Sequence, residues 1–139
     1  MTAKVIDSSV LARFFLKEVG WDQLENIMLE RPYTLNLAIK EVTNAIWRRA
    51  KLIGDLSEEK STALLDKLIS AKRYLLRVEP QEPYLKQAFK ISLKFDLTIY
   101  DSLFIALAHS KAAVLVTTDK KQHEIASKLG VNSILINAT

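Results

Sequence analysis

The sequence predicts an α/β fold: three layers, α/β/α, around a central, mostly parallel sheet of about five short strands, in one domain over residues 1–139. Three observations predict it. Short apolar runs alternate with longer stretches of helical periodicity along the whole chain. One of those runs, AVLVT after Lys111, is uninterrupted and rich in valine, which suits a central parallel strand covered on both faces. Residues that cap helices (Ser, Thr, Asp, Asn) follow several of these runs closely. No repeat, low-complexity tract or linker divides the chain, and its length suffices for one core.

Taken in order, Lys4 to Ile6 is a short strand that leads into Asp7. Ser8 and Ser9 can cap a helix carrying Val10, Leu11, Phe14 and Phe15 at helical spacing. Gly20 breaks the chain, a short helix follows over 21–30, and Pro32 ends it. Tyr33 to Leu35 is a second strand. Asn36 can cap a long helix from Leu37 to Ile53, with Gly54 as its stop and a buried face running through Ala38, Val42, Ala45, Ile46 and Arg49 to Ile53. Glu41 falls on that face with no basic residue three or four positions away.

Ser57 opens a helix to about Lys72, and Tyr74 to Val78 reads as the third strand. Glu82 and Pro83 open a helix to about Phe95, with proline suited to the first turn. Thr98 can cap the next helix at Ile99, which puts Asp101 in its first turn. The run LFIALA is apolar on nearly every side, so this helix should be buried on more than one face. The fourth strand ends at Thr117 and Thr118, and Asp119 follows. Gln122 stands where a capping-box partner would, in a helix to Leu129 that Gly130 stops. Asn132 to Ile136 is the last strand.

Apolar residues make up 49% of the chain and charged ones 26%, the balance of a globular protein. There is no cysteine, which excludes disulfides and thiolate metal sites. Asp7 and Arg13 interrupt the first apolar stretch, and nothing approaches the length of a membrane span. The expectation is a cytoplasmic protein with no membrane partner. The net charge of +4 is a mild basic bias.

Four acids share one kind of position. Asp7 and Asp119 follow strands, Asp101 begins a helix, and Glu41 lies one turn into a helix that follows the second strand. One parallel sheet could gather them at its carboxyl edge, where open α/β sheets place their ligands. Each has a structural alternative: Asp7 and Asp119 as helix caps, Asp101 as the acidic half of a capping box. Glu41 is hardest to explain so, because an unpartnered carboxylate on an apolar face is costly. Two carboxylates about 5 Å apart repel by roughly 3 kcal/mol at an effective dielectric near 20. Four together call for a cation, and hard oxygen ligands suit Mg²⁺ or Mn²⁺.

The segments VIDSSV, IKEVTNAIWRR, LTIYDSLFIALA and LVTTDKK, in this order and spacing, resemble the PIN-domain family, in particular its small single-domain toxins of the VapC type. The resemblance covers almost the whole chain, with no departure at the acidic positions. It implies a metal-dependent ribonuclease with Asp7, Glu41, Asp101 and Asp119 as its acidic site. It also implies a homodimer and a cognate antitoxin protein.

The residue types fit such chemistry. His109 ends a helix and His123 lies on an exposed-looking one, and neither stands in a nucleophile–base pattern. A hydrolase built this way would use metal-activated water on RNA phosphodiesters. Asp7, Asp101 and Asp119 would be metal ligands, and Glu41 a ligand or the group that orients the water. Ser9, Asn44 and Thr117 could orient carboxylates or water. An acidic pocket repels a polyanion, so basic residues must hold the backbone: Arg48, Arg49, Lys51, Lys120 and Lys121 adjoin the acidic edge. Lys86, Lys90 and Lys94 read as a solvated helix face, and Trp47 and Tyr100 as packing residues rather than base-stacking ones. Two other functions compete. A non-catalytic PIN-like RNA- or protein-binding module has no need of four intact acids. A phosphoacceptor domain needs a paired acid after the first strand and a lysine ending the last one, and NSILIN has none.

Overall fold

A computed structural model describes residues 2–137. Five strands form one sheet: β1 (Lys4–Ile6), β2 (Tyr33–Leu35), β3 (Arg77–Glu79), β4 (Val114–Thr117) and β5 (Ser133–Leu135). The order across the sheet is β3-β2-β1-β4-β5 and every pairing is parallel. Among the described residues seven α-helices accompany it: α1 (Ser8–Phe15), α2 (Glu25–Leu29), α3 (Asn36–Trp47), α4 (Glu58–Tyr74), α5 (Leu85–Phe95), α6 (Ile99–Lys111) and α7 (Lys120–Lys128). Six of them fall into two packed groups, α1 with α3 and α4, and α5 with α6 and α7, while α2 continues from a turn at Trp21–Leu24 that packs on α1. The layers are therefore α/β/α, as the sequence predicts.

Burial follows the position of each strand. Val5 and Ile6 of β1 and Leu115 and Val116 of β4 are buried completely, because these central strands are covered on both faces. The outer strands β3 and β5 have no fully buried residue. Helix α6 is buried from Ser102 to Ala108 without interruption, so its apolar content on all sides reflects contact with the sheet and with both α5 and α7.

Several local expectations change. The third strand begins at Arg77, not Tyr74. Tyr74 is the last residue of α4, where Leu68 and Ala71 keep the helix seated on the core, and that packing overrides the strand preference of Tyr-Leu-Leu. The long helix after β2 is α-helical only to Trp47. Arg48–Ile53 then forms a π-helix that closes on Gly54 at φ 80, with Gly54 N donating to Arg49 O at 2.9 Å. A π turn holds more residues than an α turn, so the apolar stripe loses phase and nothing in this segment is buried, Arg49 and Ile53 included.

The caps also move. Asp7 rather than Ser8 or Ser9 caps α1, accepting from Val10 N at 2.9 Å. Asn36 is the first residue of α3 and caps nothing. Helices α2 and α5 are each preceded by one 3₁₀ turn, at Trp21–Leu24 and Glu82–Tyr84. Ser57 and Thr98 cap α4 and α6 as the sequence suggests.

Candidate active site

In a parallel sheet every strand ends at the same edge, and a helix that runs straight back into the next strand begins there. Asp7 follows β1 and Asp119 follows β4. Asp101 lies in the first turn of α6, which runs back from that edge to feed β4, and Glu41 lies in the second turn of α3 after β2. All four line one cleft of about 300 Å³, together with Ser8, Ser9, Phe104 and Thr118.

Asp7 is the deepest. Its Oδ1 accepts from the Ser9 hydroxyl at 2.6 Å and from Val10 N at 2.9 Å, and its Oδ2 from the Thr117 hydroxyl at 2.5 Å. Burial nonetheless pushes its pKa above the usual carboxylate value, against the lowering pull of those donors, and the charge of Asp119 adds to the rise. Asp101 is half-buried and its carboxyl is pushed up to about 6, first by burial and then by the charges of Asp119, Asp7 and Glu41, with Thr98 pulling weakly the other way. That the other three acids all act on Asp101 is the electrostatic mark of their convergence. Asp119 caps α7 through Oδ1, which accepts from Gln122 N at 2.9 Å.

Glu41 differs from its sequence reading. It is exposed rather than set in an apolar face, and it has a partner: the Ser8 hydroxyl donates to Oε1 at 2.6 Å. Ser8 and Thr118 line the cleft and Gln122 adjoins it through Thr117 and Asp101, and none of the three has a site role in the sequence reading. Ser8 holds Glu41. Thr118 donates to Ser9 Oγ at 2.8 Å, which extends the hydroxyl chain from Asp7. Gln122 is fully buried and does not reach back to the Asp119 amide as a capping box requires; Asp119 N donates to Thr117 Oγ1 instead. The signal for Gln122 is its place on the buried stripe of α7, at helical spacing with Ile125 and Ala126.

The other predicted residues scatter. Asn44 is exposed one turn beyond Glu41 and lines no part of the cleft. Arg48 and Lys51 are exposed in the π-helix. Arg49 is paired with Asp55, Nη2 to Oδ2 at 2.6 Å, and faces a separate groove with Lys17, Lys60 and Lys67. Lys120 and Lys121 begin α7 beside the acids, and Lys121 Nζ donates to Asp96 O at 2.7 Å. Trp47 and Tyr100 are 52% and 59% exposed, so they are surface residues and not packing ones. His109 is exposed, while His123 is half-buried with Nδ1 2.8 Å from Ser133 Oγ.

The donor set fits a hard dication: carboxylates and hydroxyls, with no nitrogen or sulfur ligand lining the cleft. As the side chains stand, no group of three or more His, Asp or Glu among the described residues is arranged to hold a metal ion.

A parallel α/β/α sheet with acids from four separate elements at its carboxyl edge defines the architecture of an acidic-site domain. Residues 4–128 match the PIN domain, and the chain belongs to that family. Over 122 residues it is 32% identical to Ribonuclease VapC3 of Pyrobaculum aerophilum, covering 86% of this chain and 92% of that protein. Two solved structures share the fold. PAE2754 from Pyrobaculum aerophilum superposes with a TM-score of 0.71 at 24% identity, over 95% of this chain and 90% of that one. VapC20 of Mycobacterium tuberculosis, described as a sarcin-ricin loop cleaving toxin, gives 0.69 at 17% identity, over 96% and 99%. Among the described residues no helix is long and apolar enough to cross a membrane.

Proposed function

We propose that this PIN-domain chain is a divalent-metal-dependent endoribonuclease, acting in the cytoplasm as the toxin of a type II toxin–antitoxin pair. One observation carries the reading: Asp7, Glu41, Asp101 and Asp119 reach one cleft from four elements of the chain. The kinship with a protein named a ribonuclease supports RNA as the substrate.

Asp7, Asp101 and Asp119 are the residues to hold Mg²⁺ or Mn²⁺. When bound, the ion supplies Lewis-acid stabilisation of the reacting phosphate and a water nucleophile available at neutral pH. Asp7 is fixed for this by Ser9, Thr117 and the Val10 amide, so its orientation is set before any ion arrives. Glu41, steadied by Ser8 and open to solvent, is placed to complete the ligand set or to orient the attacking water. Lys120 and Lys121, exposed beside Asp119, offset the repulsion between an acidic cleft and an RNA strand.

The toxin reading brings two partners with it, an antitoxin protein and a second copy of the chain. Leu85, Phe89 and Leu93 leave an exposed apolar stripe on α5, which favours self-association. Sedimentation at micromolar concentration should give twice the mass of one chain.

The test of the reaction is cleavage of a mixed-sequence single-stranded RNA with Mn²⁺. Internal cuts that EDTA abolishes and excess Mn²⁺ restores support the reading. A clean, folded protein that leaves the RNA whole with either ion, or cuts it in EDTA, overturns it.

A further inference from the structure

We propose that Gln122 is a positioning residue that fixes the spacing of Asp7, Asp101 and Asp119. It is fully buried, yet it packs at the edge of an acidic cleft with every polar atom engaged. Its backbone N donates to Asp119 Oδ1 at 2.9 Å. Its Nε2 donates to the Asp101 carbonyl oxygen at 2.9 Å. Its Oε1 stands 2.5 Å from the Thr117 hydroxyl, and the same hydroxyl stands 2.5 Å from Asp7 Oδ2. The side chain therefore touches Asp101 directly, at its backbone carbonyl, and reaches both Asp7 and Asp119 through a single hydroxyl.

The chemistry of the carboxamide makes this assignment directional. Only Nε2 can face the Asp101 carbonyl, since two oxygens there would repel, so Oε1 must face Thr117. Thr117 has one proton for two acceptors, Gln122 Oε1 and Asp7 Oδ2, and its lone pairs take Asp119 N at 3.0 Å. Gln122 thus shares that hydroxyl with Asp7 and fixes where it sits against the Asp7 carboxylate. It also ties the first turn of α6 to the end of β4, two elements that no backbone pairing joins at this edge. Glutamate would set a second acceptor against the Asp101 carbonyl and asparagine is one methylene short, so neither reproduces the bridge.

The inference rests on the reading that these acids bind a divalent cation, and the test separates the two. Gln122→Met keeps length and burial but removes both side-chain bonds. Mn²⁺ affinity is measured by calorimetry on the whole chain, beside thermal melts without metal and the kcat and KM of RNA cleavage. The expected result is Mn²⁺ binding weakened about 10–100-fold, with lower kcat, unchanged KM for RNA and a metal-free melting temperature close to the parent's. Thr117→Val should weaken Mn²⁺ binding to the same degree, at a lower metal-free melting temperature because buried polar groups lose their partner, and the double variant should lose no more Mn²⁺ affinity than the larger single one. If Gln122→Met does not fold, Gln122→Leu takes its place under the same thresholds, and Thr117→Val reports on the same path. Parent-like Mn²⁺ affinity in a folded Gln122 variant overturns the positioning role and leaves the metal reading standing. A parent that binds no Mn²⁺ overturns both.

Discussion

Thr117 Oγ1 lies 2.5 Å from Asp7 Oδ2, a contact that joins the ends of β4 and β1 where both residues are buried. These residues are 110 positions apart in sequence. The contact exists because β1 and β4 are neighbours in register, Ile6 opposite Val116, so each strand delivers its next residue to the same place. A carboxylate with this much burial needs its donors, and Thr117 is one of three.

Thr117→Val should therefore destabilise the protein. Valine has the right shape, so no cavity forms, but Asp7 loses a donor and Asp119 N loses its acceptor. Leaving buried polar groups unsatisfied costs about 1–3 kcal/mol. Urea unfolding at neutral pH should show a lower midpoint with an unchanged slope. An unchanged midpoint would mean that water replaces the hydroxyl.

Asp101 predicts a pH dependence. Its folded pKa is raised to about 6, so the folded state holds the proton more tightly than the unfolded chain. The stabilisation is complete below the unfolded value near 4 and is lost as pH rises through about 6. Metal-free protein should thus lose stability between these limits. The full linkage would be about 3 kcal/mol, and screening at a half-exposed carboxyl reduces it to about 1–2 kcal/mol. Melting curves from pH 4 to 7, with EDTA, should show a decline that Asp101→Asn flattens. Equal slopes in both proteins would contradict the raised pKa.

Glu41 separates function from stability. It is exposed, and glutamine can still accept the Ser8 hydroxyl, so Glu41→Gln should leave stability within about 0.5 kcal/mol. Cleavage of RNA should fall at least about tenfold, because the amide supplies no charge. Full activity in a folded Glu41→Gln protein would remove Glu41 from the site.

How much of this was legible depended on the range of the interactions. The strands β1 and β4 and the acids after them read directly from sequence, because a buried parallel strand is a continuous apolar run and its end is marked by a cap. Asp101 followed from the Thr98 cap. Tyr74 and Leu75 did not read correctly, since seating α4 on the core through Leu68 and Ala71 is tertiary and overrides local preference. The π-helix after Trp47 broke the 3.6-residue period on which Arg49 and Ile53 had been placed inside. Glu41 reads at the correct edge from its place after β2, and only its apolar setting differs: its partner is Ser8, on another helix, and its carboxylate is exposed. Gln122 reads as a local cap because its partners, Thr117 and Asp101, lie across β4 and α6.

The most direct test of the acidic metal site compares the parent with Asp101→Asn in two assays, RNA cleavage with Mn²⁺ and thermal melting with and without the ion. Thr98 is the cap of α6 and the Asp101 backbone N is its partner, so the substitution removes no cap. Asparagine is nearly isosteric and relieves repulsion with Asp7, Glu41 and Asp119. The account predicts that cleavage falls by orders of magnitude, that the metal-free melting temperature at pH 7 holds or rises, and that the stabilisation by added Mn²⁺ shrinks. Undiminished, EDTA-sensitive cleavage by a well-folded Asp101→Asn protein, with the Mn²⁺ stabilisation intact, would contradict it.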